Sequence, residues 1–229
     1  MKFLDRRYTP RAYAEPVGFR WRLYSQDERG LFILKKYLTV KNISTIAVLG
    51  ALGAVLMLFD FPIAIAPSFY KIDLGDLPCL IGAFAMGPIP ALFIQIIKIV
   101  IKLLLKPTST AFVGELAAFI FSSVYCVSAA LIYQANKSRK QAVVAMICAS
   151  LIMALTATIG NYLFIIPAYV SLYHIPLETI ISMGQAIFPF ISNKFTFVLC
   201  CVLPFNLIKA GIVDILTLLL YKRISPLLK

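Results

Sequence analysis

Long apolar runs alternate with short polar stretches over most of the chain. The apolar runs are 43–59, 77–105, 111–134, 142–166 and 194–221. As one helix, the second run would be about 44 Å long, whereas the hydrocarbon core of a membrane is about 30 Å thick. The GPIP at 87–90 interrupts that run, and proline breaks helices because it lacks a backbone donor. The pattern therefore predicts two spans there, at 75–87 and 89–106, and six membrane-spanning helices in all.

The composition agrees with a membrane protein. Hydrophobic residues make up 61% of the 229 residues, charged residues 14%, and the mean hydropathy is +0.89. Soluble domains are about 45–50% apolar and about 25% charged. These values exclude a soluble enzyme, a disordered chain and a nucleic-acid-binding domain in solution.

Basic residues are concentrated between the apolar runs and at both ends of the chain, and the net charge is +12. With six spans, the N-terminus, the link at 136–141 and the C-terminus share one side of the membrane, which holds sixteen of the 22 cations. Cytoplasmic loops carry the excess of lysine and arginine. The expected fold is all-α, a bundle of six transmembrane helices with both termini cytoplasmic. Residues 1–40 form a basic cytoplasmic segment, and 41–229 form the membrane domain.

Polar side chains within the spans suggest either partners or a binding site, because they are unfavourable in lipid. Lys98 and Lys102 share one helix face and either reach the membrane surface or pair with an acid. Glu115 either pairs with one of these lysines or accepts a hydrogen bond from a ligand hydroxyl. Asn206 and Lys209 share a face in the middle of the last run, where Lys209 faces either a ligand or an ion-pair partner such as Glu115.

The sequence lacks the motifs of common enzymes and metal sites. It contains no GxxxxGK[ST], HExxH or GxSxG motif, and none of its five cysteines form a CxxC pair. We therefore predict no catalytic residue, no metal site and no cofactor. The alternative is a small membrane-embedded enzyme that uses Glu115, Lys209 and Asp214 as acid–base groups.

Four segments together resemble one transporter family. They are PSFYKIDLGDLPCLIGAFAMGPIPA at 67–91, GELAAF at 114–119, NYLFIIPAY at 161–169 and LPFNLIKAGIVDILTLLLYKRISPLL at 203–228. The chain resembles the riboflavin-specific substrate-binding component of energy-coupling factor transporters over residues 43–228. This resemblance implies a cell-membrane protein that binds riboflavin as the transported ligand. It also implies partners: two ATPase subunits and one transmembrane coupling subunit.

The resemblance also implies binding residues. Asn161, Asn206 and Lys209 match the family's vitamin ligands, and the loop at 68–76 matches the part that closes over the ligand. An asparagine carboxamide offers both a donor and an acceptor to the carbonyl and imide edge of a flavin. The closing loop and the spans supply further ligand candidates: Phe69, Tyr70, Asp73, Lys98, Glu115 and Thr158.

A strip of small residues in the first span is the candidate docking surface. Ala47 and Ala51, with Gly50 and Ala54 beside them, let another helix approach closely. The resemblance places the contact with the coupling subunit at Ala47 and Ala51, and the alternative is packing within the chain. A different vitamin or flavin, such as FMN, thiamine or biotin, remains the alternative ligand.

Overall fold

The computed structural model describes residues 39–108 and 110–224, and the predicted basic segment 1–40 lies almost entirely outside them. Most of the described chain is helical. The helices are α1 Val40–Leu58, α2 Asp76–Met86, α3 Pro88–Leu105, α4 Val113–Gln134, α5 Arg139–Gly160, α6 Ile166–Tyr173, α7 Leu177–Gln185, α8 Lys194–Phe197 and α9 Leu203–Ile224. Two short strands, β1 Phe61–Pro62 and β2 Lys71–Ile72, pair antiparallel between α1 and α2.

The helix break predicted at GPIP is confirmed. Gly87 separates α2 from α3 with a φ of 99°, a conformation that residues with a Cβ rarely adopt. Pro88 then occupies the first turn of α3, where the missing backbone donor has no partner to lose. The two helices lie side by side and pack on each other.

Five described helical segments are long and apolar enough to cross a membrane. They are Val40–Leu58, Pro88–Leu105, Val113–Gln134, Arg139–Leu172 and Lys194–Leu220. The helix α2 is apolar but has only 11 residues, so it extends over about 16 Å, roughly half of the hydrocarbon core. The chain is thus a multi-pass membrane protein. The helix at the predicted span 75–87 is shorter than a full crossing.

Two of the five spans contain a π-helical segment. The first, Asn161–Ile165, joins α5 to α6, and the second, Val198–Val202, joins α8 to α9. A proline follows each segment by two residues, at Pro167 and Pro204. Because a proline ring clashes with the carbonyl four residues earlier, a locally widened helix accommodates it without a break. Both spans therefore remain continuous while their side-chain register shifts.

Small residues form the contact between α4 and α5, the most extensive helix pair of the bundle. Ala129 and Ala130 from α4 and Ala142, Ala145 and Ala149 from α5 are fully buried. Such residues allow close backbone approach, so dispersion contacts replace the hydrophobic force that lipid does not provide.

The small-residue strip of α1 is divided between two surfaces. Gly50 and Ala54 are buried, and a Cβ at Gly50 would meet Ile97 of α3 at 2.6 Å. Ala47 is exposed and Ala51 is half-buried, so these two lie on the outer side of the helix. Internal packing therefore accounts for the glycine side of the strip and leaves the Ala47–Ala51 pair outward.

Candidate functional site

A cavity of about 290 Å³ lies between the β1–β2 hairpin and the ends of the long helices. This volume is near the lower limit of small-molecule sites, which is about 300 Å³. Its walls combine aromatic rings with polar side chains. Among the predicted ligand residues, the lining includes Phe69, Tyr70, Asp73, Glu115, Asn161, Asn206 and Lys209.

The first π segment and the helix start around Asn206 hold the two asparagines in fixed orientations. The Asn161 amide donates to the Ala157 carbonyl at 2.8 Å, and the Asn206 amide donates to the Val202 carbonyl, also at 2.8 Å. Each carboxamide keeps a second N–H for another partner. The two side chains are buried, so a ligand in the cavity meets oriented amide groups.

Tyr70 covers the cavity from the loop that follows β1. Its hydroxyl donates to Asn161 Oδ1 at 2.8 Å, and its ring packs on Phe205 with centroids 5.3 Å apart. Phe69 extends the aromatic contact towards Tyr169, at 6.1 Å. Burial raises the pKa of Tyr70 far above its ordinary range, so the hydroxyl stays a donor at neutral pH.

Four buried charges form the polar floor of the cavity. The Lys209 ammonium contacts Asp73 Oδ2 at 2.8 Å and Asp76 Oδ2 at 3.6 Å. On its other side, Asp76 accepts from Lys98 at 2.6 Å, where both side chains are almost fully buried. Two acids and two lysines balance each other, which removes the penalty of an isolated charge in a low-dielectric interior.

Two predicted ligand residues lie outside the cavity lining. Lys98 donates to Asp76 on the side of the floor that faces away from the cavity, and it is buried, so it does not reach the membrane surface. Thr158 donates to the Ala154 carbonyl and borders a separate groove on the outside of the bundle. Residue spacing along one helix gives the helix face but not the neighbour that faces it, and both ligand assignments stay predictions.

Glu115 lines the cavity, yet protein groups already occupy both carboxylate oxygens. Lys102 donates to Oε1 at 2.5 Å, and the hydroxyls of Thr108 and Thr110 donate to Oε2 at 2.9 Å each. The alternative in which Glu115 pairs with Lys102 is confirmed, whereas the alternative in which it pairs with Lys209 is wrong, because Lys209 contacts Asp73. Glu115 instead fastens the turn before α4 to the end of α3.

Asp60 holds the outer edge of the cavity together. Lys71 of β2 and Lys106 after α3 each lie 3.3 Å from its carboxylate. Burial alone would raise the pKa of Asp60, but the hydrogen bonds from the two lysines lower it below the ordinary value. The carboxylate therefore remains charged at neutral pH and joins the hairpin to the helix end.

Asp76 is the residue that the sequence analysis missed. It lies at the end of the predicted closing loop 68–76, and the sequence analysis gave it no role of its own. In the structure it begins α2, is 3% exposed, and connects the two lysines of the floor. Its position within the quoted segment KIDLGDLP was the available signal, because a carboxylate at the start of an apolar helix requires a cation nearby.

Asp214 has a structural position. It accepts hydrogen bonds from Tyr125 of α4 and from Ser150 of α5, the latter at 2.6 Å. The carboxylate thus ties α9 to two neighbouring helices, away from the cavity lining. Among the described residues, no group of three or more His, Cys, Asp or Glu side chains is arranged to hold a metal ion.

Comparison with known proteins places this arrangement in context. The chain is 27% identical to the riboflavin transporter FmnP of Bacillus subtilis and to the riboflavin transporter RibU of Staphylococcus aureus, with 82% of this chain and 93% of each relative covered. A solved S component of a bacterial ECF transporter superposes with a TM-score of 0.64 at 26% identity. That match covers 82% of this chain and 98% of the other.

The family model of the ECF transporter substrate-specific component matches residues 41–221, which is most of the chain and all five long spans. The components of this family are transporter subunits and not enzymes, so the alternative of a membrane-embedded enzyme is set aside. The chain belongs to the family of substrate-specific components of ECF transporters.

Proposed function

We propose that this chain captures riboflavin from outside the cell and delivers it through an ATP-driven coupling module. The observation that carries the proposal is the convergence of Asn161, Asn206 and Lys209 on one aromatic-walled cavity. Two relatives that match over nearly their whole length are named riboflavin transporters. Riboflavin is then the transported ligand and not a cofactor.

The chemistry of the cavity suits a flavin. A flavin presents a flat ring and one edge of carbonyl acceptors around an imide N–H. The ring requires apolar and aromatic walls, which Phe69, Tyr169 and Phe205 provide. The free N–H groups of the asparagines can donate to the carbonyls, and the Lys209 ammonium can add a charge-assisted bond.

The proposed topology has six helices with both termini in the cytoplasm of a cell-membrane protein. In this topology the short helix α2 supplies one of the six crossings. It returns the chain to the cytoplasmic side, where α1 begins. The link Ala135–Ser138 with its basic neighbours then faces the cytoplasm together with the two termini. The partner is the energy-coupling module, with a transmembrane coupling subunit that contacts Ala47 and Ala51.

Equilibrium binding of riboflavin to the purified chain tests the proposal. We expect saturable quenching of flavin fluorescence, and we expect Asn206→Leu to weaken binding more than tenfold. The leucine would leave a polar edge of the ligand desolvated without a partner, which costs about 1–3 kcal/mol per lost bond. The affinity is measured by fluorescence titration in detergent or nanodiscs.

Asn136→Leu is the matched control, because Asn136 is exposed in the link before α5 and lies far from the cavity lining. It should bind riboflavin like the parent chain. Absence of riboflavin binding by the parent would refute the proposed ligand. Equal binding by the parent and Asn206→Leu would instead refute the assigned site.

A further inference from the structure

A second groove of about 280 Å³ lies on the outside of the bundle. The end of α5 and the first π segment form one wall, and α8 with the second π segment forms the other. Its lining is almost entirely apolar and shares no residue with the vitamin cavity. Leu163, Phe195 and Leu199 turn about half or more of their side-chain surface outward, so the groove opens towards lipid.

The groove lies at one boundary of the membrane. Thr158 follows Arg139 by 19 residues along a continuous helix, a rise of about 28 Å, which is close to the full hydrocarbon thickness. Lys194, next to the groove, is the first residue of the last span. Both elements therefore place the groove at the membrane boundary opposite Arg139, where acyl chains meet headgroups.

Lys194 stands at the edge of this groove. Its ammonium lies 4.3 Å from the centroid of the Tyr162 ring, and Phe195 meets the same ring edge-on. Within residues 39–108 and 110–224, no carboxylate forms an ion pair with Lys194. Between Gln141 and Leu220 the sequence contains only one other lysine or arginine, Lys209, and that residue is paired in the cavity floor.

We propose that this groove binds one anionic phospholipid, with an acyl chain between the two π segments and the phosphate at Lys194. The ammonium is a compact donor that attracts phosphate as a point charge. Phosphatidylglycerol has no cationic group in its headgroup, so its phosphate is free to attract Lys194. In phosphatidylcholine, the quaternary ammonium already neutralises the charge of the phosphate. The acyl chain would lie against Tyr162, which lines the groove and directly follows Asn161 on the first π segment.

Native mass spectrometry of the full chain tests this site. The chain is released from nanodiscs that contain equal amounts of phosphatidylglycerol and phosphatidylcholine with the same acyl chains. We expect the parent to retain phosphatidylglycerol preferentially. Lys194→Gln should reduce that preference about fivefold, since one lysine beside an anionic lipid contributes ~1 kcal/mol.

Leu199→Trp is the second variant, because it fills the groove from a lipid-exposed position and leaves Lys194 unchanged. We expect neither lipid to stay bound to this variant after its release from the nanodiscs. Lys140→Gln is the matched control at the opposite membrane boundary, where Lys140 is exposed at the start of α5, and it should behave like the parent.

Two results would overturn the site. One is a parent that retains the two lipids equally, and the other is a Lys194→Gln variant with the parent's preference. Retention of both lipids by Leu199→Trp would show that they bind elsewhere. Riboflavin is absent from all of these measurements, so their outcome is independent of the proposed vitamin specificity.

Discussion

The buried lysines show what a single residue contributes to this site. Lys98 and Lys209 both contact Asp76, and Lys209 also contacts Asp73. Because the four charges are balanced, a ligand that draws Lys209 away from Asp76 leaves that carboxylate still paired with Lys98. Lys209 can thus move away from Asp76 without leaving that carboxylate unpaired, as long as it keeps its contact with Asp73.

We predict that Lys98→Met destabilises the protein more than the double variant Asp76→Asn/Lys98→Met. The single change leaves Asp76 with only the more distant Lys209, and breaking a buried pair costs about 3–5 kcal/mol. The double change removes one charge of each sign and keeps the Asp73–Lys209 pair intact. Thermal unfolding of the purified variants in detergent gives the ranking.

Lys140→Met is the control for that ranking, because Lys140 is exposed and should change the unfolding temperature little. A double variant as unstable as Lys98→Met would show that Asp76 matters through contacts other than its charge.

The sequence indicated which polar residues line the cavity better than it indicated the ion-pair partners of the buried charges. Asn161, Asn206 and Lys209 do line one cavity, because the i, i+3 spacing of the last two fixes a shared helix face. Partners depend on which helices are neighbours, and spacing along one helix carries no such information. The sequence therefore offered Glu115 only as one possible partner of Lys209, and it did not indicate that Asp73 and Asp76 pair with Lys209 and Lys98.

At the scale of elements, the break at GPIP was predictable and the π segments were not. Proline and glycine mark the junction of α2 and α3 directly in the sequence. Pro204 lies within the apolar run 194–221 and Pro167 directly follows the run 142–166, and neither proline predicts a change of helical register. Asn161 is the first residue of one π segment, and Asn206 follows the other π segment by four residues.

The loop between β1 and α2 covers the cavity, and we propose that it opens to admit the ligand. We predict that Tyr70→Phe speeds riboflavin release about two- to tenfold, since the Tyr70–Asn161 hydrogen bond contributes about 0.5–1.5 kcal/mol. The phenyl ring keeps the contact with Phe205 and removes only the hydroxyl. Stopped-flow measurement of flavin release gives the rate.

Hydrogen exchange over residues 68–76 provides the complementary measurement. Exchange should slow when riboflavin is added to the parent, because a buried vitamin needs a gate that closes over it.

Tyr133→Phe is the matched control for the release rate of Tyr70→Phe, since it removes a buried tyrosine hydroxyl on α4 away from the loop. Unchanged release by Tyr70→Phe would mean that this hydroxyl does not hold the loop closed.

At the scale of the whole molecule, charge distribution and helix lengths give different numbers of crossings. The cation count favours an even number of crossings, because only then do the basic link and both termini share one side. Five described helices satisfy the length requirement, so the proposed topology of six crossings requires α2 and the loop before it to supply the remaining one. A short helix is acceptable there because its polar start, Asp76, is buried against lysines and not against lipid.

The outward face of α1 carries the last prediction. This helix is the least buried of the five long spans, and its inner face is already occupied by α3. Ala47 and Ala51 leave a shallow path on the outer side, whereas Val48 and Leu52 beside them are bulky and exposed. A partner helix can approach closely only over the alanines, because small side chains are what permit close packing in lipid.

We predict that Ala47→Trp/Ala51→Trp abolishes co-purification with the coupling module and transport, while the isolated chain still binds riboflavin. The matched control is Val48→Trp/Leu52→Trp, which adds bulk about 100° further around the same helix and should leave assembly intact. The proposed ligands Asn161, Asn206 and Lys209 lie on the last two long spans, and none of the four substituted residues lines the cavity. Loss of riboflavin binding with assembly preserved would mean that the alanines pack within the chain. Equal loss of assembly in both pairs would mean that the whole outer face of α1, and not the alanine path, contacts the partner.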